Sequence, residues 1–121
     1  NKRENCIITT HNNEYFNEKK INLFHNLSSC INWIEKTNYD EYWVIGGKMI
    51  YEGFIKDYIN KIDEVHLSKL NYSYNCDCFL NLDFLKNFNI IENTKYTDLD
   101  KNTQEYIQFS HIVFKKKMDY P

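Results

Sequence analysis

The chain has 121 residues, a net charge of −2 and an apolar fraction of 42%, and these values exclude a disordered chain. The length suits a single domain spanning residues 1–121. No basic stripe is present to match a phosphate backbone, so we expect no nucleic-acid partner. We expect a cytoplasmic protein without membrane contact, because no apolar run approaches the roughly 20 residues that cross a bilayer and no signal peptide opens the chain.

The cysteines favour reduced thiols over a disulfide framework or a metal site. The chain has four of them, Cys6, Cys30, Cys76 and Cys78, at irregular spacing. Cys76-Asp77-Cys78 is not a CxxC motif, and no further well-spaced soft ligands accompany it. We therefore expect ordinary thiols in a reducing compartment and no bound metal.

The first part of the chain alternates strand and helix signals. Residues 6–10 are rich in β-formers, whereas residues 11–20 are polar and predict a loop. Asn26 is a suitable N-cap for a helix that ends near Thr37. The apolar face of that helix comprises Leu27, Cys30, Ile31 and Ile34. The continuously apolar run 42–45 predicts a strand buried on both faces of a parallel sheet.

The second part predicts one more helix and three strands. Apolar spacing indicates a helix from about Met49. Residues 63–70 alternate as in a strand, with Val65, Leu67 and also Ser68 near the interior, and residues 76–85 predict a loop with a short helical turn. Residues 88–96 and 106–114 predict an antiparallel hairpin. This order of elements indicates an α/β sheet with right-handed crossovers.

Two of the three glycines in the chain, Gly46 and Gly47, lie between the predicted strand and the next helix. In α/β sheets ligands bind at the carboxyl ends of strands. Glycine gives the backbone conformational freedom there, and the N–H groups at a helix N-terminus can hold a phosphate. A tight strand-to-helix turn without a ligand explains these two glycines equally well.

Four sequence blocks carry a family resemblance. They are Arg-Glu-Asn-Cys-Ile-Ile-Thr-Thr at 3–10, Val-Ile-Gly-Gly followed by Ile-Tyr within 44–51, Asp-Glu-Val-His-Leu-Ser-Lys-Leu at 63–70, and Tyr-Asn-Cys-Asp-Cys-Phe at 74–79. In this order they resemble motifs of the dihydrofolate reductases. The resemblance implies a central mixed, mostly parallel β-sheet flanked by helices, with an antiparallel C-terminal hairpin. It implies NADPH-dependent reduction of 7,8-dihydrofolate to tetrahydrofolate, in one-carbon metabolism and thymidylate supply.

The resemblance assigns residues to dihydrofolate. Arg3 matches the arginine that pairs with the carboxylate of the folate glutamate tail. A guanidinium group suits this role because it can donate two parallel hydrogen bonds to a carboxylate. Ile45 matches a residue whose backbone carbonyl faces the pterin, and Tyr51 matches a tyrosine near the pterin and nicotinamide. Ser68 matches a threonine that steadies the catalytic carboxylate. Ser68 and Tyr51 are thus supporting residues, although Tyr51 also suits a core position.

The resemblance also implies residues that bind NADPH. Thr9 and Thr10 match a polar pair that contacts the adenosine 2′-phosphate. By analogy, His11 and His25 lie near that phosphate. Strand propensity and structural roles remain alternatives for these four residues. The pyrophosphate and nicotinamide positions correspond to Gly46, Gly47, Lys48, Met49 and Ile50. In the family, the two glycines are joined by a cis peptide bond.

One expected feature has no counterpart in this sequence. The family's catalytic acid lies on an early helix, before the block that begins at Arg3, and no carboxylate here matches it. Glu14, Asp40 and Asp57 lie in the wrong segments. We therefore expect a partial dihydrofolate reductase domain, incomplete at its N-terminus and lacking a central strand. This chain alone is expected to be inactive, and either unstable or differently paired.

Three alternatives stay open at this stage. A riboflavin-pathway reductase domain shares the fold and the glycine turn, although Arg3 and the Tyr-x-Cys-Asp block favour folate. A non-catalytic truncated remnant is the second alternative. The third concerns a partner, because residues 119–121 are compatible with a continuation into a fused thymidylate synthase.

Overall fold

The computed structural model describes residues 4–9, 21–71 and 74–118. They form two compact units, the N-terminal unit (Asn1–Ile45) and the C-terminal unit (Gly46–Pro121). The elements in chain order are β1 (Cys6–Ile8), β2 (Asn22–Phe24), α1 (Leu27–Lys36), α2 (Lys48–Asp57), β3 (Glu64–Leu70), β4 (Phe88–Leu99) and β5 (Tyr106–Lys116). Short 3-10 turns occupy Ile59–Lys61 and Asp83–Asn87.

The N-terminal unit joins a two-stranded parallel sheet to α1. Strands β1 and β2 pair from Cys6 opposite Asn22 to Ile8 opposite Phe24. Asn26 caps α1 as predicted, since its side chain accepts a hydrogen bond of 2.8 Å from the Ser29 N–H. Strand β2 was not predicted, because three residues are too short for a clear alternation.

The apolar face of α1 forms the centre of this unit. Cys30 and Ile31 are buried, with exposed fractions of 5% and 2%. The rings of Phe24 and Trp33 pack with centroids 5.6 Å apart. The predicted helical periodicity therefore identifies the face that α1 buries.

The C-terminal unit contains an antiparallel sheet with the order β3-β5-β4. Strand β5 is central and pairs with both neighbours, and a β-bulge interrupts β4 between Ile90 and Glu92. Phe88, Ile112 and Phe114 form the buried core of one sheet face. Val65 and Leu67 pack against this core, so the predicted alternation of β3 is confirmed for these two residues.

The predicted strand at 42–45 does not form. Trp43 is 60% exposed and Ile45 is 88% exposed. A strand requires a hydrogen-bonded neighbour, and among the described residues β1 pairs only with β2, and β3 only with β5. Ser68 is also exposed rather than inward, because alternation places it on the face opposite Val65 and Leu67.

The mixed α/β fold and the antiparallel C-terminal hairpin are confirmed. Within the described ranges the parallel pairing is that of β1 with β2. The predicted loop at 11–20 and the segment 119–121 lie outside the described residues. No helix among the described residues is long and apolar enough to cross a membrane. The expectation of a single domain stays a prediction.

Candidate cofactor and substrate site

The Gly46–Gly47 turn has the backbone geometry that requires glycine. The peptide bond between the two residues is cis, as the resemblance implied. Gly46 has φ of 115°, a region that residues with a Cβ atom rarely adopt. Gly47 follows as the N-cap residue of α2.

Tyr51 packs against the same turn. A Cβ atom added to Gly46 would lie 3.3 Å from the Tyr51 hydroxyl and from its ring. The Tyr51 N–H donates a 3.0 Å hydrogen bond to the Gly47 carbonyl. Helical spacing of four residues from Gly47 therefore places this ring against the turn, a contact that was not predicted.

The N-terminus of α2 has a glycine as its cap residue. No side-chain hydrogen bond from the cap residue satisfies its first turn, whereas Asn26 caps α1. Lys48 is exposed, Met49 is 85% exposed and Ile50 is half-buried. Backbone N–H groups at such an end lack partners within the helix, and the helix dipole favours negative charge there.

In the N-terminal unit, Thr9 and His25 lie together at the carboxyl ends of β1 and β2. The Thr9 N–H donates a 2.8 Å hydrogen bond to the Phe24 carbonyl. The Nδ1 atom of exposed His25 lies 3.0 Å from the Thr9 carbonyl oxygen. This contact orients the imidazole and leaves the side chain accessible to a ligand.

The remaining predicted residues are less informative. Ile45 is exposed at 88%, and Ser68 is exposed on β3. Arg3, Thr10 and His11 lie outside the described residues. The structure thus brings together Thr9 with His25 in one unit, and Gly46, Gly47, Tyr51 and the start of α2 in the other.

A polar cluster at the opposite end of β1 was not predicted. Asn22 Nδ2 donates to Glu4 Oε2 at 2.8 Å and to the Asn5 carbonyl at 3.2 Å. Glu4 also acts on Tyr39, since the pKa of Tyr39 is raised by loss of hydration and then by the Glu4 charge. These residues are far apart in the chain, so no local sequence pattern indicates the cluster.

Metal-ligand groupings were also sought in the described ranges. In residues 4–9, 21–71 and 74–118, no group of three His, Cys, Asp or Glu side chains is arranged to hold a metal ion. Backbone N–H groups and an imidazole are suitable partners for an anion.

These features define an α/β domain whose glycine turn and open helix N-terminus suit a phosphate-bearing ligand. A family model described as dihydrofolate reductase matches residues 1–116. The chain therefore belongs to the dihydrofolate reductase family, a family of reductase enzymes. Among curated proteins, no sequence matches it significantly.

Proposed function

We propose that the protein reduces 7,8-dihydrofolate to tetrahydrofolate with NADPH. The observation that carries this proposal is the Gly46–Gly47 turn, which opens α2 with Tyr51 packed against it. Membership of the dihydrofolate reductase family supports the same activity. The four free thiols support a reducing, cytoplasmic location.

The described residues fit NADPH. The open first turn of α2 suits a pyrophosphate, with Gly46 and Gly47 allowing close backbone approach and Lys48 adding positive charge. Thr9 and His25 are assigned to the 2′-phosphate of the adenosine. A ring nitrogen of His25 can donate a hydrogen bond to that phosphate.

The chemistry divides between cofactor and protein. When bound, NADPH supplies the hydride that reduces C6 of dihydrofolate, and N5 receives a proton. Tyr51 and Ile45 are assigned to hold the pterin, and Ser68 to orient the group that supplies the proton. The contribution of these residues is alignment of two rings and exclusion of water.

We further propose that the 121 residues alone bind ligands without turnover. The resemblance assigns the proton-supplying carboxylate to none of the Asp or Glu residues in this chain. General acid catalysis typically contributes a factor of about 10² to 10⁴ in rate, so its loss removes measurable reduction.

The cofactor assignment is tested by titrating NADPH and NADH into the chain and following nicotinamide fluorescence. We expect His25→Ala to weaken NADPH binding by about tenfold, the usual loss for one charge-assisted contact, and to leave NADH binding unchanged. Lys36→Ala is the control, since it removes an exposed cation from the end of α1 in the same unit. Equal losses for NADPH and NADH would contradict the 2′-phosphate role.

The substrate assignment is tested with methotrexate and dihydrofolate. Methotrexate binding favours folate over a riboflavin-pathway substrate. We expect no dihydrofolate-dependent oxidation of NADPH by the 121 residues. Failure of the chain to bind both NADPH and methotrexate would argue against the proposed function, whereas turnover by the chain alone would refute only the proposed inactivity.

A further inference from the structure

Two histidines lie side by side on one face of the sheet in the C-terminal unit. His66 on β3 pairs with Val113 on β5, and Ser68 pairs with His111, so the two histidines are diagonal neighbours on adjacent strands. Their ring centroids are 5.5 Å apart, with 43° between the ring planes. Both residues are half-buried, and the side chain of His66 is 29% exposed. Two paired strands therefore hold two imidazoles together where solvent reaches them.

A carboxylate supports the ring of His66. The Nε2 atom of His66 lies 3.1 Å from Oε1 of Glu64, which is two residues earlier on β3 and thus on the same face. A carboxylate accepts hydrogen bonds and donates none, so Nε2 carries the proton and Nδ1 carries the lone pair of the neutral ring. Histidines that bind metal ions usually donate from their other ring nitrogen to such a carboxylate. Glu64 therefore gives His66 the tautomer and the support of a metal ligand.

The spacing of the two rings suits one metal ion. Imidazole is a common ligand of zinc, copper and nickel ions. Two imidazoles bound to one zinc ion, at Zn–N distances of about 2.0–2.1 Å, have ring centroids roughly 5–6 Å apart. The observed separation of 5.5 Å lies within this range.

We propose that His66 and His111 bind a zinc ion on the face of the sheet, with Glu64 supporting the ring of His66. The resemblance assigns none of these three residues to folate or NADPH, so the site does not depend on the proposed reduction. The two histidines are far apart in the chain, and no spacing pattern in the sequence indicates that they meet.

Solvent completes the coordination of the ion. In the described part of the chain, no three His, Cys, Asp or Glu side chains are grouped to hold a metal, so water takes the positions that the two imidazoles leave. On this face Glu92 of β4 lies opposite Val113, and Lys115 lies opposite Glu64. The carboxylates of Glu64 and Glu92 favour a cation, and the ammonium group of Lys115 opposes it. We therefore expect reversible binding, weaker than at a closed site with four protein ligands.

The test uses the full chain with Cys76→Ser and Cys78→Ser, because these two exposed thiols would also bind zinc. Zinc chloride is titrated at neutral pH, and the ring protons of the histidines are followed by NMR. We expect the resonances of His66 and His111 to shift together and to saturate at the same zinc concentration. His25, in the N-terminal unit, is the internal control and should not shift with them.

Variants of this chain separate the ligands from the supporting group. We expect His111→Ala to weaken zinc binding by about a hundredfold, because a single imidazole then remains. Glu64→Ala should weaken it by about tenfold, a usual cost of losing a supporting carboxylate. Ser110→Ala is the matched control, since Ser110 adjoins His111 on β5 but points to the opposite face. Isothermal titration calorimetry measures the three affinities.

Three results would overturn the proposal. The first is that zinc shifts neither histidine ring in the folded chain, which would leave the two rings as a structural pair. The second is that only one of the two rings shifts. The third is that His111→Ala binds zinc as tightly as its parent. The NMR titration of the parent alone gives either of the first two outcomes or the expected one, so the proposal stays testable if His111→Ala fails to fold.

Discussion

Gly46 combines a positive φ with a close side-chain neighbour. Its φ of 115° is strained for a residue with a Cβ atom, and the space beside its Cα atom is filled by Tyr51. Gly47 has a φ of −85° and no atom within 4 Å of an added Cβ. The two adjacent glycines are therefore not equivalent, although the sequence alone makes them look alike.

This difference predicts unequal effects of alanine. We expect Gly46→Ala to lower the free energy of unfolding by about 2 kcal/mol, because it adds backbone strain and a contact with the Tyr51 ring. Gly47→Ala is the matched control and should cost less than half as much. Urea denaturation of both variants measures the difference, and equal losses would contradict the packing described for Tyr51.

Cys30 predicts a pH dependence of stability. Its pKa is raised in the folded chain from 9.0 to about 11 by burial and by Cys6. The protonated thiol therefore contributes stability that is fully present below pH 9 and is lost as the pH rises toward 11. We expect the urea midpoint, measured under reducing conditions, to fall over this range. Cys30→Ala should flatten that fall, whereas Cys78→Ala, at an exposed position, should leave it unchanged.

At the scale of elements, the two helices differ at their N-termini. Asn26 caps α1 through the Ser29 N–H, whereas no comparable bond from Gly47 caps α2. The side chain of Asn26 therefore stabilises α1 locally, whereas Gly47 supplies no such bond to α2. This contrast agrees with a structural role for α1 and a binding role for the start of α2.

Removal of the Asn26 cap should lower the stability of α1. We expect Asn26→Ala to lower the free energy of unfolding by about 1 kcal/mol, because the Ser29 N–H loses its partner. Asn32→Ala is the control, since Asn32 is exposed within the same helix and alanine has the higher helix propensity. Circular dichroism during urea denaturation measures both. A loss in Asn32→Ala as large as that in Asn26→Ala would contradict the capping role.

The central strand β5 should tolerate change least in the C-terminal unit. Phe114 is 9% exposed within the core of the sheet, whereas Phe79 is 68% exposed in a loop. We expect Phe114→Ala to cost about 3 kcal/mol through lost burial and a residual cavity. Phe79→Ala should stay within about 0.5 kcal/mol of the parent chain. Similar costs for the two phenylalanines would contradict the assignment of the core.

At the scale of the whole molecule, local signals predicted most elements. Periodicity and the Asn26 cap identified α1, and alternation identified β3 and the hairpin of β4 and β5. The prediction of a strand at 42–45 was wrong, because strand formation depends on a hydrogen-bonded neighbour and no local sequence pattern indicates whether one is present. The hydrogen bond between Asn22 and Glu4 joins distant positions, so it required the structure. The glycine turn was predicted, but the packing of Tyr51 against it was not.

Hydrogen exchange should distinguish the two edges of β3. The bonds from the Lys116 N–H to the Asp63 carbonyl and from the Asn71 N–H to the Gln108 carbonyl place the odd-numbered residues of this strand against β5. Among the described residues, no strand pairs with the other edge. We expect the amide of Ser68 to exchange about tenfold faster than those of Val65 and Leu67. Equal protection would show that another segment covers this edge.

The bulge in β4 has a consequence for the behaviour of the protein at high concentration. Strand β4 is 12 residues long and lies at the edge of its sheet within the described part of the chain, with Ile90 and Ile91 more than half exposed. A straight edge of this length would template fibrils by adding strands from other molecules. The extra residue Ile91 breaks the regular spacing of the edge and bends it. We therefore expect the bulge to weaken strand pairing between molecules along the edge that carries these two exposed isoleucines.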